Sequence, residues 1–399
     1  MNLSTKSLQR QQDEQWMRQV IQLAQQSLYI TSPNPRVGCL IVRDGRIIGK
    51  GSTQAAGHDH AEVQAIKDAL NTAQAHDPAD VMRGATFYVS LEPCSHYGRT
   101  PPCVDAIIRC QPARVVIAMI DPNPLVAGRS IAKMQQAGIE VCSGVLVEEA
   151  LALNSGFISR MAAKRPWLRT KIACSMDAKV ALADGESKWI TSAPARDDGQ
   201  HWRARSCLVL TGIGTVLADD PLLNVRAVPT SRQPIRAVID RRFRIDEKAS
   251  LFNGDPVWLF VEDRAFTASE LQKQTRLEQE KNTRLIKIPL NQAQSGMEAL
   301  DLQAVMAYLA ANEINEVHLE AGPRLNAALL EANLIDEVLL YMAPKIIGPG
   351  REAFALSPLQ RLSDAKQMVF FEQQAVGSDM RLRARDEQRW QSILAAVSE

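Results

Sequence analysis

The chain has 399 residues, of which 46% are hydrophobic and 23% charged, and its formal net charge is +1. A chain of this length exceeds the size at which a single hydrophobic core keeps growing, so two domains are expected. The balanced charge argues against a large phosphate-neutralising surface, and we therefore expect no nucleic acid as a partner.

The sequence also predicts the cellular compartment. No apolar run approaches the roughly 20 residues that cross a bilayer, and the polar N-terminus lacks the apolar core of a signal peptide, so no membrane partner is expected. Seven cysteines in so long a chain do not form a disulfide scaffold. These features predict a cytoplasmic protein with reduced cysteines. Five of the cysteines are expected to be buried structural thiols: Cys39, Cys110, Cys142, Cys174 and Cys207.

Strands that alternate with helices are predicted in the first part of the chain. Residues 13–28 have the apolar spacing of an amphipathic helix. Two β-rich runs follow around Asp44-Gly45, a dipeptide typical of a tight hairpin turn. Helices are predicted to begin near His60 and after Pro102, with strands at 86–90, 114–120 and 139–145. The alternation predicts a layered α/β domain over residues 1–147.

Residues 148–164 predict a helical linker, which leads to a second domain over residues 165–385. In that domain we predict strands at 207–212, 235–240, 257–262, 314–320 and 336–342, and helices at 301–312 and 323–333. Residues 262–300 are polar and weakly patterned, and no element is predicted there. A C-terminal helix over 386–399 is expected to pack on the body of the protein or on a partner subunit; its apolar residues are Trp390, Ile393, Leu394 and Val397.

Two short stretches contain the parts of a catalytic zinc site. They are GHDHAEVQAI at 57–66 and SLEPCSHYGRTPPCVD at 90–105. A catalytic zinc ion has three protein ligands and keeps a fourth position for water, and His60, Cys94 and Cys103 supply such a set. Glu62 is suited to take the proton of that water and deliver it to a leaving nitrogen.

Proline precedes each of the two cysteines. Pro93 and Pro102 suit the starts of helices, where the helix N-terminus would favour the thiolate of the following cysteine. The pattern is close to the H-x-E and P-C-x-x-C signature of zinc nucleobase deaminases, although eight residues separate its cysteines rather than two.

The residues alone leave two questions open. Side chains two positions apart diverge in the middle of a helix, so His60 and Glu62 would face one site only near the first turn. A structural zinc site would need a fourth protein ligand, for which His96 or Cys110 is available. The two cysteines could also be buried thiols without a metal.

Three stretches closely resemble the deaminase half of the bifunctional deaminase/reductase family of riboflavin biosynthesis. They are TSPNPRVGCLIV at 31–42, HAEVQAI at 60–66 and EPCSHYGRTPPC at 92–103. The resemblance implies a cytidine-deaminase-like, three-layer α/β/α domain that binds one Zn²⁺ ion. The implied reaction is hydrolytic deamination of 2,5-diamino-6-ribosylamino-4(3H)-pyrimidinone 5′-phosphate.

The same resemblance implies the residues that contact this substrate. Asn34 should contact the base, and His96, Arg99 and Thr100 should face the substrate and its phosphate, which Arg99 can meet with two hydrogen bonds. One position departs from the family. Where the family has Gly-Trp-His, this chain has Gly51-Ser52-Thr53, and His58 is the available substitute.

No strong cofactor motif follows from the residues of the second domain. TGIGTVLADDP at 211–221 has two glycines of a dinucleotide-binding loop but lacks the third. In LEAGPRLNAALL at 319–330, a strand would end at Glu320 and a helix would begin after Gly322. The N–H groups of that helix could hold a phosphate, and an ordinary strand–turn–helix fits equally well.

GESKWITS at 185–192, TGIGTVLADDPLLNVR at 211–226 and EAGPRLNAALL at 320–330 resemble the reductase half of the same family. The resemblance implies a dihydrofolate-reductase-like α/β domain that uses NADPH to reduce the ribosyl group of 5-amino-6-(5-phosphoribosylamino)uracil to ribityl. The residues it implies at the substrate are Ser187, Arg203, Leu222, Arg226 and Glu320. Those it implies at NADPH are Ala173, Trp189, Thr215, Asp219, Gly322, Pro323, Arg324, Leu325, Asn326, Ala327 and Ala328.

Within these sets, Arg203 and Arg226 are suited to bind phosphate, and Asp219 and Glu320 are the candidates for the proton donor. Two positions depart from the family, because Ala178 and Ala321 stand where it has glycine. If either backbone needs a positive φ, alanine costs about 1 kcal/mol.

These departures leave a zinc deaminase with an inactive reductase-like domain as the alternative. An RNA-editing deaminase is disfavoured, because aromatic residues make up only 5% of the chain and its charge is balanced. The family also implies small phosphorylated ribosylaminopyrimidine substrates and a homo-oligomer, either a dimer or a tetramer.

Overall fold

The structure is a computed structural model that describes residues 3–97, 101–292 and 298–398. The chain divides into two compact units, Met1–Ala163 with Gln391–Glu399, and Lys164–Trp390. None of the described helices has both the length and the apolar character needed to cross a membrane.

A five-stranded sheet with helices on its two faces makes up the described part of the first unit. Its strands are β1 (Gly38–Arg43), β2 (Arg46–Ser52), β3 (Thr86–Val89), β4 (Arg114–Ile117) and β5 (Glu140–Ser143). Its helices are α1 (Leu3–Gln25), α2 (Ala61–Ala73), α3 (Pro78–Met82), α4 (Cys103–Arg109), α5 (Arg129–Gln136) and α6 (Val147–Ala163). The strand order is β2-β1-β3-β4-β5, with β1 antiparallel to both neighbours and β3, β4 and β5 parallel.

Glycines in the sheet allow the helices to approach closely. A Cβ atom added to Gly51 would lie 2.3 Å from the carbonyl oxygen of Ala61, and one added to Gly38 would lie 2.2 Å from that of Val20. Gly51 pairs with Cys39, and the adjacent Gly38 faces the opposite side of the sheet. Helices α2 and α1 therefore cover opposite faces, which confirms the expected α/β/α layering. The tight contact at Gly51 also fixes the N-terminal turn of α2 on the sheet.

The hairpin predicted at Asp44-Gly45 is confirmed. Strands β1 and β2 pair on either side of the turn, and Asp44 and Gly45 have φ angles of 52° and 71°. Two consecutive positive φ values are typical of the turn that matches the twist of such a hairpin.

Helix α6 belongs to the first unit, whereas the sequence predicted a separate linker over 148–164. Its residues Ala150, Leu151 and Ile158 are buried. At Asn154 the helical backbone is interrupted, and the Asn154 side chain accepts from the N–H of Arg36 at 2.8 Å and donates to its carbonyl oxygen at 2.8 Å. Helical spacing predicts the helix, but it does not show which unit buries its apolar residues.

A nine-stranded sheet dominates the described part of the second unit. Its strands are β6 (Trp167–Ser175), β8 (Leu208–Gly212), β9 (Ile235–Ile239), β10 (Val257–Glu262), β11 (Thr283–Ile288), β14 (Glu316–Leu319), β15 (Glu337–Ala343), β17 (Val369–Val376) and β18 (Asp379–Arg385). Short paired strands are β7 (Lys179–Leu182) with β16 (Gly350–Glu352), and β12 (Leu290–Gln292) with β13 (Glu298–Leu300). The helices are α7 (Ala193–Arg205), α8 (Ile213–Asp219), α9 (Ala268–Glu280), α10 (Leu302–Ala311) and α11 (Pro323–Glu331). Helix α12 (Glu387–Ser398) begins in the second unit and continues into the first, to which Gln391–Glu399 belongs.

The strand order of the large sheet is β11-β10-β9-β8-β14-β6-β15-β18-β17. Strands β11 to β15 in this order are parallel, while β18 and β17 are antiparallel. The carboxyl ends of the parallel strands therefore lie along one edge, where ligands bind in sheets of this kind.

The predictions for the C-terminal helix and for residues 262–300 differ in outcome. The C-terminal helix is present as α12, and Trp390, Ile393 and Val397 on it are buried. Residues 262–300, for which no element was predicted, contain helix α9 and strand β11. The N-terminus of α9 has a capping box, in which the Thr267 side chain accepts from the Glu270 N–H and the Glu270 side chain accepts from the Thr267 N–H. The motif Thr-x-x-Glu was the available signal in an otherwise polar segment.

Candidate functional site

Three side chains of the first unit meet in a cluster with the geometry of metal ligands. The ligand atoms of His60, Cys94 and Cys103 all lie within 4.8 Å of one another. His60 Nδ1 is 3.2 Å from Cys103 Sγ and 3.7 Å from Cys94 Sγ. No fourth His, Cys, Asp or Glu joins them within the described residues. One imidazole and two thiolates are a donor set that fits a catalytic zinc ion with an open position.

The two side chains proposed earlier as a fourth ligand lie outside this cluster. The buried Cys110 thiol donates to the carbonyl oxygen of Ala106 at 3.2 Å, within its own helical turn. The buried Nδ1 of His96 has no hydrogen-bond partner among the described residues. The cluster therefore gives no support to a structural four-ligand zinc site.

The start of helix α2 explains how His60 and Glu62 reach the same place. His60 is the N-cap, with an extended backbone at φ −77° and ψ 165°, and Glu62 is the second residue of the helix. Because His60 stands outside the helix, the divergence of helical i,i+2 side chains does not apply to the pair. Glu62 is only 3% exposed. Burial, together with the Cys94 thiolate, raises the pKa of its carboxyl to about 7, so it can both accept and release a proton near neutral pH.

Different kinds of backbone present the two cysteines. Cys103 is the first residue of α4, and Pro102 is its N-cap. Cys94 lies in the irregular segment after β3, so the prediction that Pro93 starts a helix was wrong. The Cys103 thiol donates to Cys94 and keeps the shared proton, which is the main reason that the pKa of Cys94 falls to about 4. The Cys103 backbone N–H also donates to Cys94 Sγ at 3.2 Å.

Glu92 holds the segment that carries Cys94, a role that the sequence did not reveal. Its buried carboxylate accepts from the Ser130 hydroxyl at 2.7 Å and from the Gly128 N–H at 3.0 Å. It also accepts from the Asp121 N–H at 3.3 Å. Gly128 is the N-cap of α5, so Glu92 supplies the helix with the acceptor that a glycine cap lacks. The available signal was a glutamate beside Pro93-Cys94, but it does not show which helix the carboxylate would cap.

Two of the four expected substrate contacts of the first unit, Asn34 and His96, lie within the described residues. Asn34 is half-buried in the turn before β1, where its N–H donates to the carbonyl oxygen of Thr31 at 2.9 Å. His96 follows Cys94 in the same segment. Arg99 and Thr100 lie outside the described residues.

At the position where the family has histidine, Thr53 has a structural role. It is buried, its hydroxyl accepts from the Val37 N–H at 3.2 Å, and its carbonyl oxygen accepts from the Ser27 hydroxyl at 2.7 Å. The threonine thus ties the end of β2 to the chain that enters β1. His58, the available substitute for the family histidine, is exposed.

In the second unit, a cavity of about 960 Å³ opens at the carboxyl ends of β6, β8, β9 and β14. Several residues implied by the resemblance line it: Ala173, Ser187, Trp189, Thr215, Asp219, Glu320, Gly322, Pro323, Arg324, Leu325 and Asn326. Others are not among its lining residues, namely Arg203, Leu222, Arg226, Ala327 and Ala328. Of these, Arg226 is exposed and Leu222 is half-buried.

The cavity has the character of a site for an anionic ligand. Six cations and two carboxylates line it: Lys171, Lys188, Arg196, Arg244, Arg324 and Arg351, with Asp219 and Glu320. Gly322 is the N-cap of α11, and the nearest atom to a Cβ added there would be 3.9 Å away, which leaves open space at the helix N-terminus. The free N–H groups of such a terminus, together with the surrounding cations, fit the phosphates of a dinucleotide.

Arg203 holds the Glu320 carboxylate in place. The guanidinium of Arg203 contacts both carboxylate oxygens, at 2.5 and 2.9 Å, and donates to the carbonyl oxygen of Asn224 at 2.9 Å. Burial alone would raise the pKa of Glu320, but Arg203 outweighs it and holds that pKa well below its usual range. Glu320 is therefore ionised and unsuited to donate a proton. Three of the five N–H donors of Arg203 are occupied by protein oxygens.

Lys171 is a cavity residue that the sequence did not reveal. It precedes Ala173 by two positions on β6, so both side chains point to the same face of the sheet. Burial lowers the pKa of its ammonium group, while the nearby Glu320 acts in the opposite direction. A lysine within an apolar strand carries no sequence signal of its own.

The two alanines that replace family glycines differ in conformation. Ala178 has a φ of 61°, in the left-handed region that favours glycine. Ala321 is not among the residues with positive φ in the described chain. Asp177, next to Ala178, accepts from the N–H groups of Ile347 at 3.1 Å and Gly348 at 2.7 Å. These bonds hold the turn in place despite the alanine.

Comparison with known proteins covers both units. Residues 10–119 match the cytidine and deoxycytidylate deaminase zinc-binding region, and residues 166–382 match the RibD C-terminal domain. The riboflavin biosynthesis protein RibD of Escherichia coli is 43% identical over 92% of this chain and 98% of its own length. That of Haemophilus influenzae is 38% identical over 93% and 96% of the respective chains.

Solved structures agree with these matches. Acinetobacter baumannii RibD superimposes with a TM-score of 0.82 at 39% identity, covering 94% of this chain and 99% of that one. A Thermotoga maritima diaminohydroxyphosphoribosylaminopyrimidine deaminase/5-amino-6-(5-phosphoribosylamino)uracil reductase superimposes with a TM-score of 0.80 at 31% identity and the same coverage.

The matches settle the class of the chain. Both halves match over almost their full length, which gives no support to an inactive C-terminal domain. The cofactors are zinc in the deaminase half and NADPH in the reductase half. The substrates are small molecules. The chain belongs to the RibD family of riboflavin biosynthesis proteins, which join a zinc-binding deaminase to a reductase.

Proposed function

We propose that this chain catalyses two consecutive steps of riboflavin biosynthesis. The first unit removes an amino group from 2,5-diamino-6-ribosylamino-4(3H)-pyrimidinone 5′-phosphate by hydrolysis. The second reduces the ribosyl group of 5-amino-6-(5-phosphoribosylamino)uracil to ribityl with NADPH. The observation that carries the proposal is the cluster of His60, Cys94 and Cys103 beside the buried Glu62. We assign deamination to residues 1–147 and reduction to residues 165–385.

In the deaminase step, His60, Cys94 and Cys103 hold the metal, and Glu62 handles the proton. A bound zinc ion supplies a Lewis acid that makes water more acidic. Glu62, with a pKa of about 7, takes a proton from the attacking water and returns it to the leaving nitrogen. Asn34 holds the base, while His96, Arg99 and Thr100 bind the remainder of the substrate.

In the reductase step, Glu320 and Lys171 face the reacting sugar, and Ser187 helps to hold it. NADPH, when bound, supplies the hydride. Glu320 stays ionised, so it stabilises positive charge that develops on the nitrogen attached to the sugar as the ring opens. Lys171 has a lowered pKa and releases a proton more easily than an ordinary lysine, which suits it as the proton donor. Arg203 acts through Glu320 as a positioning residue, and Asp219 pairs with Lys188 at 3.4 Å.

One experiment tests both halves. The diaminopyrimidinone phosphate is given to the purified protein with and without NADPH, while ammonia release and NADPH absorbance are followed separately. We expect ammonia in both reactions and NADPH oxidation only after deamination has begun. Absence of ammonia would contradict the deaminase assignment, and ammonia without NADPH oxidation would contradict the reductase assignment.

We also propose a homo-oligomer, either a dimer or a tetramer. The edge strand β17 supports it, because Val369, Phe370 and Phe371 there are 46%, 67% and 38% exposed, and apolar edge strands favour association. Light scattering during size-exclusion chromatography measures the mass, and a strict monomer at micromolar concentration would contradict the proposal.

The cytoplasm is the proposed compartment. All seven cysteines are free, and Cys94 and Cys103 hold a metal only as reduced thiolates. Fractionation of the source cells, followed by detection of the chain, tests this assignment, and recovery outside the cytoplasm would overturn it.

A further inference from the structure

The loop after β9 carries three arginines, Arg241, Arg242 and Arg244, and each has different surroundings. Arg241 pairs with Glu262 at 3.0 Å and with Glu298 at 3.2 Å. Arg242 is exposed and is not among the lining residues of the cavity. Arg244 does line the cavity. Only the third of these arginines is therefore placed to meet a ligand there.

Contacts around Phe243 and Asp240 fix the backbone that presents Arg244. Phe243 is 4% exposed and stacks on Phe266 with a ring separation of 5.5 Å. The carbonyl oxygen of Phe243 accepts from Lys273 Nζ at 3.1 Å. On the other side of Arg244, the Ile245 N–H donates to the Asp240 carboxylate at 2.8 Å. Arg244 thus extends from a backbone that is held on both sides.

Three other cations of the cavity, Lys188, Arg351 and Arg196, contact protein oxygens. Lys188 lies 3.4 Å from Asp219. Arg351 donates to the carbonyl oxygen of Asp184 at 3.1 Å, and Arg196 to that of Thr191 at 2.7 Å. Arg244 makes no ion pair with a carboxylate within the described parts of the chain. Its charge acts on the Asp240 carboxyl only from beyond ion-pair distance, so its guanidinium N–H groups can meet a ligand in the cavity.

The position of Arg244 along the sheet indicates which part of the cofactor it would meet. Lys171 lies on β6, and the neighbouring strands are β14, β8 and β9 in that order. At about 4.8 Å per strand, the end of β9 lies roughly 14 Å from β6. The turn at Gly322, which suits a pyrophosphate, falls between the two. A dinucleotide with its reacting ring beside Lys171 therefore places its adenosine end near Arg244.

We propose that Arg244 binds the 2′-phosphate on the adenosine ribose of NADPH and sets the preference for NADPH over NADH. The two cofactors differ only in that phosphate, and a guanidinium meets a phosphate with two parallel hydrogen bonds. The assignment rests on the proposed reductase function of the second unit.

The test compares Arg244→Ala with Arg242→Ala in the full-length chain. Arg242→Ala removes the same charge from the same loop without touching the cavity. Calorimetry measures the dissociation constants of 2′,5′-ADP and NADPH, and quenching of tryptophan fluorescence measures that of NADH. We expect Arg244→Ala to weaken 2′,5′-ADP and NADPH by about ten- to a hundred-fold, with NADH changed less than two-fold. Arg242→Ala should leave all three constants within about two-fold.

Several outcomes would overturn the assignment. Equal weakening of NADPH and NADH would place Arg244 at a group that the cofactors share. If Arg244→Ala leaves the dissociation constant of 2′,5′-ADP unchanged, Arg244 does not bind the 2′-phosphate. The same conclusion follows if Arg242→Ala weakens 2′,5′-ADP as much as Arg244→Ala does. The calorimetric unfolding transition of the second unit reports whether each variant is folded. If the wild-type protein binds neither NADPH nor 2′,5′-ADP, both this assignment and the proposed reductase function fail. If the wild-type protein binds NADPH but Arg244→Ala does not weaken NADPH more than NADH, only the assignment of Arg244 fails, and the proposed reductase function stands.

Discussion

The metal cluster of the first unit and the cavity of the second unit use charge in different ways. In the cluster, four reactive groups share protons and hydrogen bonds, and all come from the N-terminal turns of two helices and one loop. In the cavity, cations from several separate segments line a wide space. A compact site depends on every member, whereas a dispersed site distributes binding over many contacts. The loss of one group should therefore be far more severe in the first unit.

Metal removal should give the largest difference between the activities of the two sites. Treatment with a strong chelator should abolish ammonia release, because His60, Cys94 and Cys103 then hold no Lewis acid. Reduction of the deaminated substrate should continue at its normal rate, since no described residue of the cavity belongs to the cluster. Ammonia is measured by a coupled assay and NADPH by absorbance. Restored deamination after addition of Zn²⁺ is the control. Full deamination by metal-free protein would remove zinc from the mechanism.

Glu62→Gln should have the next largest effect. Glutamine keeps the size of the side chain but cannot carry a proton, so deamination should fall by about 10²- to 10⁴-fold. Elemental analysis should find zinc unchanged, because Glu62 is not among the three ligands, and the reductase rate should be unchanged. Near-normal ammonia release would exclude Glu62 as the proton carrier.

The sequence predicted the compact site better than the dispersed one. His60, Glu62, Cys94 and Cys103 lie in two short stretches, and the chemistry of these residue types points to zinc without knowledge of the fold. The cavity became visible only through the family resemblance, because its residues come from the ends of strands far apart in the chain. Lys171 and Arg244 have no local signal, since a lysine in a strand and an arginine in a loop are ordinary.

Local patterns predicted most of the elements but not their tertiary partners. The alternation of strands and helices, the Asp44-Gly45 hairpin and the C-terminal helix are all present. The helix start at Pro93 was wrong, because proline fixes its own φ and does not create the hydrogen bonds that a helix needs. Glu92, which holds that segment instead, contacts the start of α5, 36 to 38 residues later. Such a contact depends on the sheet that brings the two segments together.

Glu320→Gln should have a moderate effect on the second unit. The variant leaves the half-buried Arg203 without its carboxylate, so we expect reductase kcat/KM to fall by about ten- to a hundred-fold. The unfolding transition of the unit should also move to lower temperature, because a broken buried ion pair is destabilising. Deamination should be unaffected.

A matched control is Glu352→Gln, at an exposed carboxylate 3.5 Å from Lys179. An exposed pair contributes about 0–1 kcal/mol, so this variant should behave as the wild type does. If Glu320→Gln and Glu352→Gln are equally active, Glu320 has no role in the reductase step.

Ala178→Gly should give the smallest effect, and its sign is opposite to that of the other variants. Ala178 holds a φ of 61°, which costs an alanine about 1–2 kcal/mol, while glycine adds about 0.5–1 kcal/mol of unfolded-state entropy. The net gain in the free energy of unfolding should be about 0.5–1 kcal/mol, or roughly 2 °C in the midpoint of the second unit's thermal transition.

Ala321→Gly is the control, because Ala321 has no positive φ in the described chain. The free energy of unfolding of this variant should fall by about 0.5 kcal/mol. Calorimetric midpoints that move in the same direction for both variants would show that the turn at Ala178 is not strained. If the two midpoints shift in opposite directions, the alanine at 178 destabilises the turn relative to the family's glycine. The hydrogen bonds from the Ile347 and Gly348 N–H groups to Asp177 then offset that loss of stability.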